Sequence, residues 1–150
     1  MTTESQFMRE AIAEAEAAAS AGEVPIGAVV VQNGEIIGRG QNRVLRDLDP
    51  TAHAEIVAMR AASRALKNYR LTGCELYVTL EPCAMCAGAM IHARLARLIY
   101  AASDPKAGAV ESVLEVLNHP RLNHQMAVDA GVLSEEAGAL LREFFKQRRS

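Results

Sequence analysis

The chain has little of what marks a specialised environment. Cysteine occurs only three times in 150 residues. An odd and small count is no disulfide framework, and it points to a reducing compartment, where a close cysteine pair is metal-binding or catalytic. Excess charge is also missing: 16 Lys and Arg stand against 18 Asp and Glu, a net of −2. That excludes indiscriminate nucleic-acid binding by the whole surface. No apolar run is long enough to cross a bilayer, which takes about 20 residues; the stretch from Pro82 to Ala93 falls well short. The opening residues have no basic segment, and glutamates interrupt the Ala-rich stretch after them, so no signal peptide is expected. Repeats and linkers are absent too. The expectation is a soluble, cytoplasmic protein forming one domain over residues 1–150. Half of its residues are hydrophobic, and a chain of this length hides roughly 70% of its unfolded surface.

The small net charge conceals an asymmetry. Residues 1–36 carry six glutamates against Arg9 alone, a net of −5, whereas residues 37–106 carry ten Lys and Arg against six acids, a net of +4. An anionic ligand is therefore expected at the middle of the chain.

Pattern gives the elements. Thr3 to Ala21 predicts a helix, with Thr3 and Gln6 as a capping box and Gly22 as its C′ glycine. Ile26–Val31 and Glu35–Gly40 flank Asn33-Gly34, a strong hairpin signal. Thr51 is a plausible N-cap for a helix to Leu66, followed by a strand over Cys74–Leu80. Glu81-Pro82 opens a helix to Ala93, with proline at the first position. A strand over Leu95–Ala101, a helix near Ser112–Leu117, a strand near Met126–Val128 and a helix capped by Ser134 complete the chain. Strands alternating with helices after a hairpin indicate an α/β fold: a three-layer α/β/α sandwich on a five-stranded sheet, mixed at one edge and parallel elsewhere. Ligands in such sheets bind outside the carboxyl ends of strands.

Two groups of residues carry chemistry at helix starts. One is Thr51-Ala52-His53-Ala54-Glu55 and the other is Glu81-Pro82-Cys83-Ala84-Met85-Cys86. Cysteines at i and i+3 share a helix face, and the positive end of the helix dipole favours the thiolate form that binds metal. His53 makes a third ligand. Three protein ligands leave a fourth tetrahedral position open to water, as in catalytic zinc sites. Glu55 follows the histidine by two positions and supplies a carboxylate for proton transfer, for which a structural zinc site has no use. Alone, the cysteine pair could equally be a redox pair or half of a zinc knuckle. Cys74 has no partner at useful spacing and fits a small buried hydrophobe. His92 fits packing or surface, and His119 and His124 fit structural roles or RNA contacts.

His-Ala-Glu followed by Pro-Cys-x-x-Cys is the signature of zinc nucleobase deaminases. The chain resembles the bacterial tRNA-specific adenosine deaminases of that superfamily, with its cytidine-deaminase-like fold. The matching stretches are Val24 to Val29, Asp49 to Glu55, Leu76 to His92, Asp104-Pro105-Lys106, His119-Pro120, Asn123-His124 and the terminal Phe144-Phe145 with its basic tail. The resemblance implies one Zn2+ per chain on His53, Cys83 and Cys86, with Glu55 as the catalytic proton carrier. It implies hydrolytic conversion of the wobble adenosine of an arginine tRNA to inosine. It also implies that Asn42 contacts the flipped purine, that Asp104 and Lys106 line the loop for flanking nucleotides, and that Phe145 and Arg149 meet RNA. The implied partners are a tRNA anticodon stem-loop and a second copy of the chain. The apolar residues around the Pro82–Ala93 helix, which suit burial on every face, point to the same homodimer. Some members have Arg or Asp where Ser103 stands and several have Thr or Gly at the position of Ala107, which bears on flanking-nucleotide contacts. A deaminase of free bases such as guanine or cytosine, and a non-enzymatic zinc module, are the other two readings; Glu55 counts against the second.

Overall fold

In a computed structural model the chain is described over residues 2–149. The elements follow in the order α1 (Thr3–Ser20), β1 (Gly27–Gln32), β2 (Glu35–Gln41), α2 (Ala54–Leu66), β3 (Glu75–Leu80), α3 (Ala84–Ala93), β4 (Arg97–Ala102), β5 (Ala127–Ala130) and α4 (Ser134–Arg149). The sheet order is β2-β1-β3-β4-β5. β1 is antiparallel to both β2 and β3, while β3, β4 and β5 are mutually parallel. β2 therefore runs the same way as β3. That direction decides the architecture of the site, because the chain leaves β2 and β3 at the same edge of the sheet.

The hairpin forms where Asn33 and Gly34 both take positive φ, 51° and 79°, as the two-residue turn of twisted strands requires. β3 and β4 sit at the centre of the sheet with helices on both faces, so their residues are buried regardless of alternation. Leu76, Val78, Leu98 and Tyr100 pack with Ala58, Ala62, Ala87 and Met90 of α2 and α3. Tyr77 and Ile99 face the other way, towards Met8, Ala11 and Ile12 of α1 and Ala137 of α4. These are the three layers. Each large aliphatic side chain buried in either layer contributes about 1.5–3 kcal/mol.

Three expectations shift. The first helix is capped by Thr2, whose hydroxyl oxygen accepts from the Ser5 N–H at 3.1 Å, rather than by Thr3 with Gln6. Residues 112–117 form no helix; the N–H groups of Val113 and Leu114 both donate back to Gly108 O and that of Val116 to Ala109 O, a spacing no α-helix allows. The α3 helix is not covered on every side in the single chain: Ala84, Met85 and His92 are exposed. No helix among the described residues is long and apolar enough to cross a membrane.

The charge asymmetry is partly absorbed within the fold. Arg39 pairs with Glu10 and Glu14 of α1, and Arg97 pairs with Glu4, Glu75 and Asp129. Arg43, Arg46 and Arg60 pair with Asp47, Glu23 and Asp49. Much of the basic middle therefore meets acids of the chain itself.

Candidate active site

The site begins with two helix N-termini. His53 is the N-cap of α2 and Cys83 the N-cap of α3, both with extended backbones at φ −73°, ψ 154° and φ −78°, ψ 176°. Each carbonyl accepts the first bond of its helix, from Val57 N at 3.0 Å and Ala87 N at 2.9 Å. The sequence predicts helices that start two or three residues earlier. Thr51 stands two residues before the cap of α2, in a turn where its hydroxyl and its backbone N–H both donate to Asp49, at 2.7 and 2.8 Å. Pro82 precedes the cap of α3 rather than opening the helix. As N-caps, His53 and Cys83 swing their side chains across the helix ends towards each other. Cys86, at the third position of α3, stands under Cys83.

The approach of α2 to the sheet fixes how far apart these ends lie. Gly38 and Gly40 of β2 are the reason it comes so close. A Cβ on Gly38 would run into the Ala58 carbonyl and lie 2.7 Å from Ala62 N, and one on Gly40 would collide with the backbone of Ala54 and Ala58.

His53 Nδ1 stands 3.6 Å from the sulfur of Cys83 and 3.6 Å from that of Cys86. All three ligand atoms lie within 4.8 Å of one another. Zinc bonds of ~2.3 Å to sulfur and ~2.05 Å to nitrogen, at a tetrahedral angle, place N and S about 3.6 Å apart. The donor set and its spacing therefore fit that ion. A hydrogen bond from the Cys86 thiol, then one from His53, holds the Cys83 thiol down at about 3. The hydrogen bond to Cys83, then burial, pushes the Cys86 thiol far up. The hydrogen bond to Cys83 raises His53, against desolvation. A single thiolate is thus what the group holds by itself, and a divalent cation is what would stabilise two.

Glu55 lies in the first turn of α2 and is only 4% exposed. Burial pushes its carboxyl up to about 7, against a lowering by its own backbone N–H and by His53. A carboxyl poised near neutrality beside a candidate metal group suits a residue that takes a proton and returns it.

The other sequence-predicted residues fall into two neighbouring places. Asn42 is buried at the end of β2, its N–H donating to Ile26 O at 3.1 Å. Among the described residues its side-chain amide has no hydrogen-bond partner. Asp104, Lys106 and Phe145 line an open groove of about 840 Å³, together with Val24, Ile26, Leu80, Arg142 and Lys146. Ile26 and Leu80 tie this groove to the site, since one bonds Asn42 and the other leads through Glu81 and Pro82 into Cys83. His53, Glu55, Cys83 and Cys86 are not in its lining. Phe144 is buried, with the Arg148 guanidinium 4.0 Å from its ring centroid, whereas Phe145 is 44% exposed. The side chain of Arg149 lies outside the described residues.

The remaining histidines and Cys74 do not join the group. Cys74 is buried and its thiol is raised by that burial. His124 donates from Nε2 to the Leu95 carbonyl at 2.6 Å, His119 accepts from Arg121 N, and His92 is exposed on α3.

Sequence reasoning passes over two buried glutamates that hold the loops of the site. Glu23 accepts from Leu45 N, Arg46 N and Arg46 Nε, fixing the loop that begins at Asn42. Glu81 accepts from the loop that carries Asp104. Burial opposes ionisation of Glu81, but bonds from Glu111 N, Ser112 and Asp104 N hold it down at about 2. The available signal was a lone acid at the edge of an apolar run, which the charge count treats as surface.

The arrangement of site and sheet is matched by known proteins. The sequence pattern of the MafB19-like deaminase family matches residues 2–149. The chain belongs to that family. A tRNA-specific adenosine deaminase of Bacillus subtilis is 47% identical over 149 residues, covering 99% of this chain and 92% of the relative. One from Aquifex aeolicus is 48% identical over 144 residues, covering 96% and 95%. A solved structure from work on A-to-I editing by tRNA:A34 deaminases at the wobble position of transfer RNA superposes with a TM-score of 0.88 at 48% identity, covering 91% of this chain and 99% of the other. A guanine deaminase from Nitrosomonas europaea superposes at 0.79 with 30% identity, covering 93% and 83%. The deaminase thus shares its cytidine-deaminase-like sandwich with enzymes of two substrate classes.

Proposed function

We propose that this deaminase is a zinc-dependent hydrolase that converts adenosine to inosine in transfer RNA, at the wobble position of an arginine anticodon. The observation that carries the reading is the groove beside the metal group. It is lined by Lys106, Arg142, Lys146 and the exposed ring of Phe145. Basic side chains beside an aromatic suit single-stranded loops, where phosphates are neutralised and bases stack. A free base needs no such flank. The 47% identity to a tRNA-specific adenosine deaminase, against 30% to the guanine deaminase, supports the same choice.

In this reading His53 Nδ1, Cys83 Sγ and Cys86 Sγ hold one Zn2+, and Glu55 and Asn42 work beside it. Zinc supplies the Lewis-acid activation that makes water a nucleophile near neutral pH. The carboxylate of Glu55 accepts the proton that the attacking water releases and delivers it to the departing amino group. A C6–O bond forms and the C6–N bond breaks, releasing ammonia. The unpartnered amide of Asn42 is free to bond the purine edge, and burial of Glu55 and Cys86 keeps bulk water from the proton path. Asp104, Lys106, Phe145 and Arg149 hold the neighbouring nucleotides.

The deaminase acts in the cytoplasm as a homodimer, formed over the outward face of α3. That face carries exposed Ala84, Met85 and His92 and half-buried Gly88, Ala89 and Ile91, apolar but for the histidine. Sedimentation at micromolar concentration should give twice the chain mass, and a monomer refutes the dimer. The activity is tested by incubating purified protein with bulk tRNA and, separately, with guanine, cytosine and adenosine. Inosine is expected at an anticodon first position. Faster ammonia release from a free base than from tRNA refutes the tRNA reading.

A further inference from the structure

Glu81 stands two residues before Cys83, is 2% exposed, and has no part in the chemistry assigned to Glu55. Its carboxylate is turned entirely to one loop. Oε1 accepts from Asp104 N at 3.0 Å and from the Ser112 hydroxyl at 2.5 Å. Oε2 accepts from Val110 N at 3.1 Å, Glu111 N at 2.8 Å and Ser112 N at 3.0 Å. Backbone bonds close the ring: Glu81 N donates to Ala102 O and Ala109 N to Pro82 O, both at 2.8 Å. The fit leaves no room at Gly108, where a Cβ would lie 2.5 Å from both carboxylate oxygens.

Ala109 and Val110 anchor the loop in the core, and Tyr100 donates from its hydroxyl to Glu111, but among the described residues the stretch from Asp104 to Ala107 has only its own turn bonds besides Glu81. Residues 103–116 form neither helix nor strand, and Pro105, Lys106 and Ala107 are exposed. A segment without regular structure and with an exposed tip opens easily unless its backbone is tied down. Successive N–H groups converging on one anion are such a tie. The loop carries Asp104 and Lys106 to the groove, and the turn after Glu81 carries Cys83 to the metal group.

We propose that Glu81 is a positioning residue whose carboxylate is the post around which residues 104–112 are wound, so that the nucleotide-contacting strip of Asp104 and Lys106 is held in register with the metal-holding turn at Cys83. This rests on the reading of the groove as an RNA site. Both oxygens must accept, so glutamine is not a conservative replacement. Its NH2 would face either the donors on Oε1 or the three on Oε2.

The test compares wild-type holoenzyme with Glu81→Gln on an RNA stem-loop carrying an adenosine in its loop, with zinc content and amide exchange measured on both. Losing two or three of these bonds should speed exchange at Asp104, Glu111 and Ser112 by about tenfold or more, with α2 amides unchanged. Zinc should stay at one per chain, and KM should rise by about tenfold with kcat within about threefold, the mark of lost substrate positioning. Loss of zinc, a fall in kcat at unchanged KM, or unchanged exchange each overturns the proposal. If Glu81→Gln does not fold, Ser112→Ala removes one of the five bonds. It should then speed loop exchange and raise KM by a few-fold, and wild-type values of both overturn the proposal. If the wild type itself leaves RNA adenosine intact, the tRNA reading has failed. Loop exchange, which needs no substrate, then decides whether Glu81 holds the loop.

Discussion

Glu23 Oε2 accepts both the backbone N–H of Arg46, at 2.8 Å, and its guanidinium Nε, at 3.1 Å, so one buried carboxylate fixes a residue by main chain and side chain together. Burial opposes ionisation of Glu23, but the backbone bonds from Arg46 and Leu45 and the Arg46 guanidinium leave its pKa below the ordinary 4.5. A depressed carboxyl stabilises the fold above the unfolded value, and that contribution is lost as pH falls through the folded one. Glu23→Gln should therefore cost about 2 kcal/mol at pH 7. The gap from wild type in urea midpoint should narrow on acidification below the ordinary carboxylate value. A gap that stays constant down to pH 3 would show that the charge is immaterial.

Glu55→Ala should fold, keep its metal and lose deamination. A lost general acid–base typically costs ~10²–10⁴ in rate, and one residue serving several transfers belongs at the upper end. The burial that raises Glu55 to about 7 also sets the pH profile. The carboxylate form is the proton acceptor, so kcat/KM should fall on the acid side, with a midpoint at or below about 7 once a cation is present to favour the anion. Inosine formation within tenfold of wild type would place the proton carrier elsewhere.

Cys86→Ser should abolish metal binding. The hydroxyl is a poor anion and would sit at a wholly buried position facing His53 Nδ1. Full zinc occupancy by elemental analysis would remove Cys86 from the ligand set.

The candidate metal group was more legible in the sequence than the backbone geometry that assembles it. That His53, Cys83 and Cys86 come together was readable because ligand type and i, i+3 spacing are local properties. That His53 and Cys83 are themselves the N-caps was not, because neither is a usual capping residue and neither side chain makes a cap hydrogen bond. The helix expected at 112–117 gives way to bonds from Val113, Leu114 and Val116 N–H back to Gly108 and Ala109, and those two residues are placed by Glu81 and Pro82, more than 25 positions earlier. The hairpin and sheet order were legible in outline, since Asn33-Gly34 and the alternation of elements are strong signals. The roles of Gly38 and Gly40 depend on a helix that arrives later in the chain.

Those glycines give a further test. Gly40→Ala puts a methyl group into the backbone of Ala54 and Ala58, and only displacement of α2 can relieve it. Overpacking of this kind typically costs about 1–3 kcal/mol. Because His53 caps that helix, metal affinity should fall along with stability. Gly34→Ala strains the exposed turn instead and should lower stability with metal affinity unchanged. Equal metal affinity in both variants would show that α2 can move without carrying His53.

The two phenylalanines of α4 separate the fold from the proposed RNA site. Adjacent helix positions point about 100° apart, which sends Phe144 inward under Arg148 and leaves Phe145 on the groove with Lys106 and Lys146. Phe144→Ala removes a buried ring and should cost about 3–5 kcal/mol. Removing residues 144–150 together would therefore confuse lost stability with lost RNA contact. Phe145→Ala isolates the contact. Its ring is nearly half exposed, so stability should change by less than about 0.5–1 kcal/mol. Loss of one stacked base is worth about 1–3 kcal/mol, or roughly 5- to 150-fold in affinity. A thermal melt and an RNA stem-loop titration on the two variants give the answer. If Phe145→Ala binds RNA as wild type does and melts at the same temperature, the ring is surface decoration and the groove does not stack a base there.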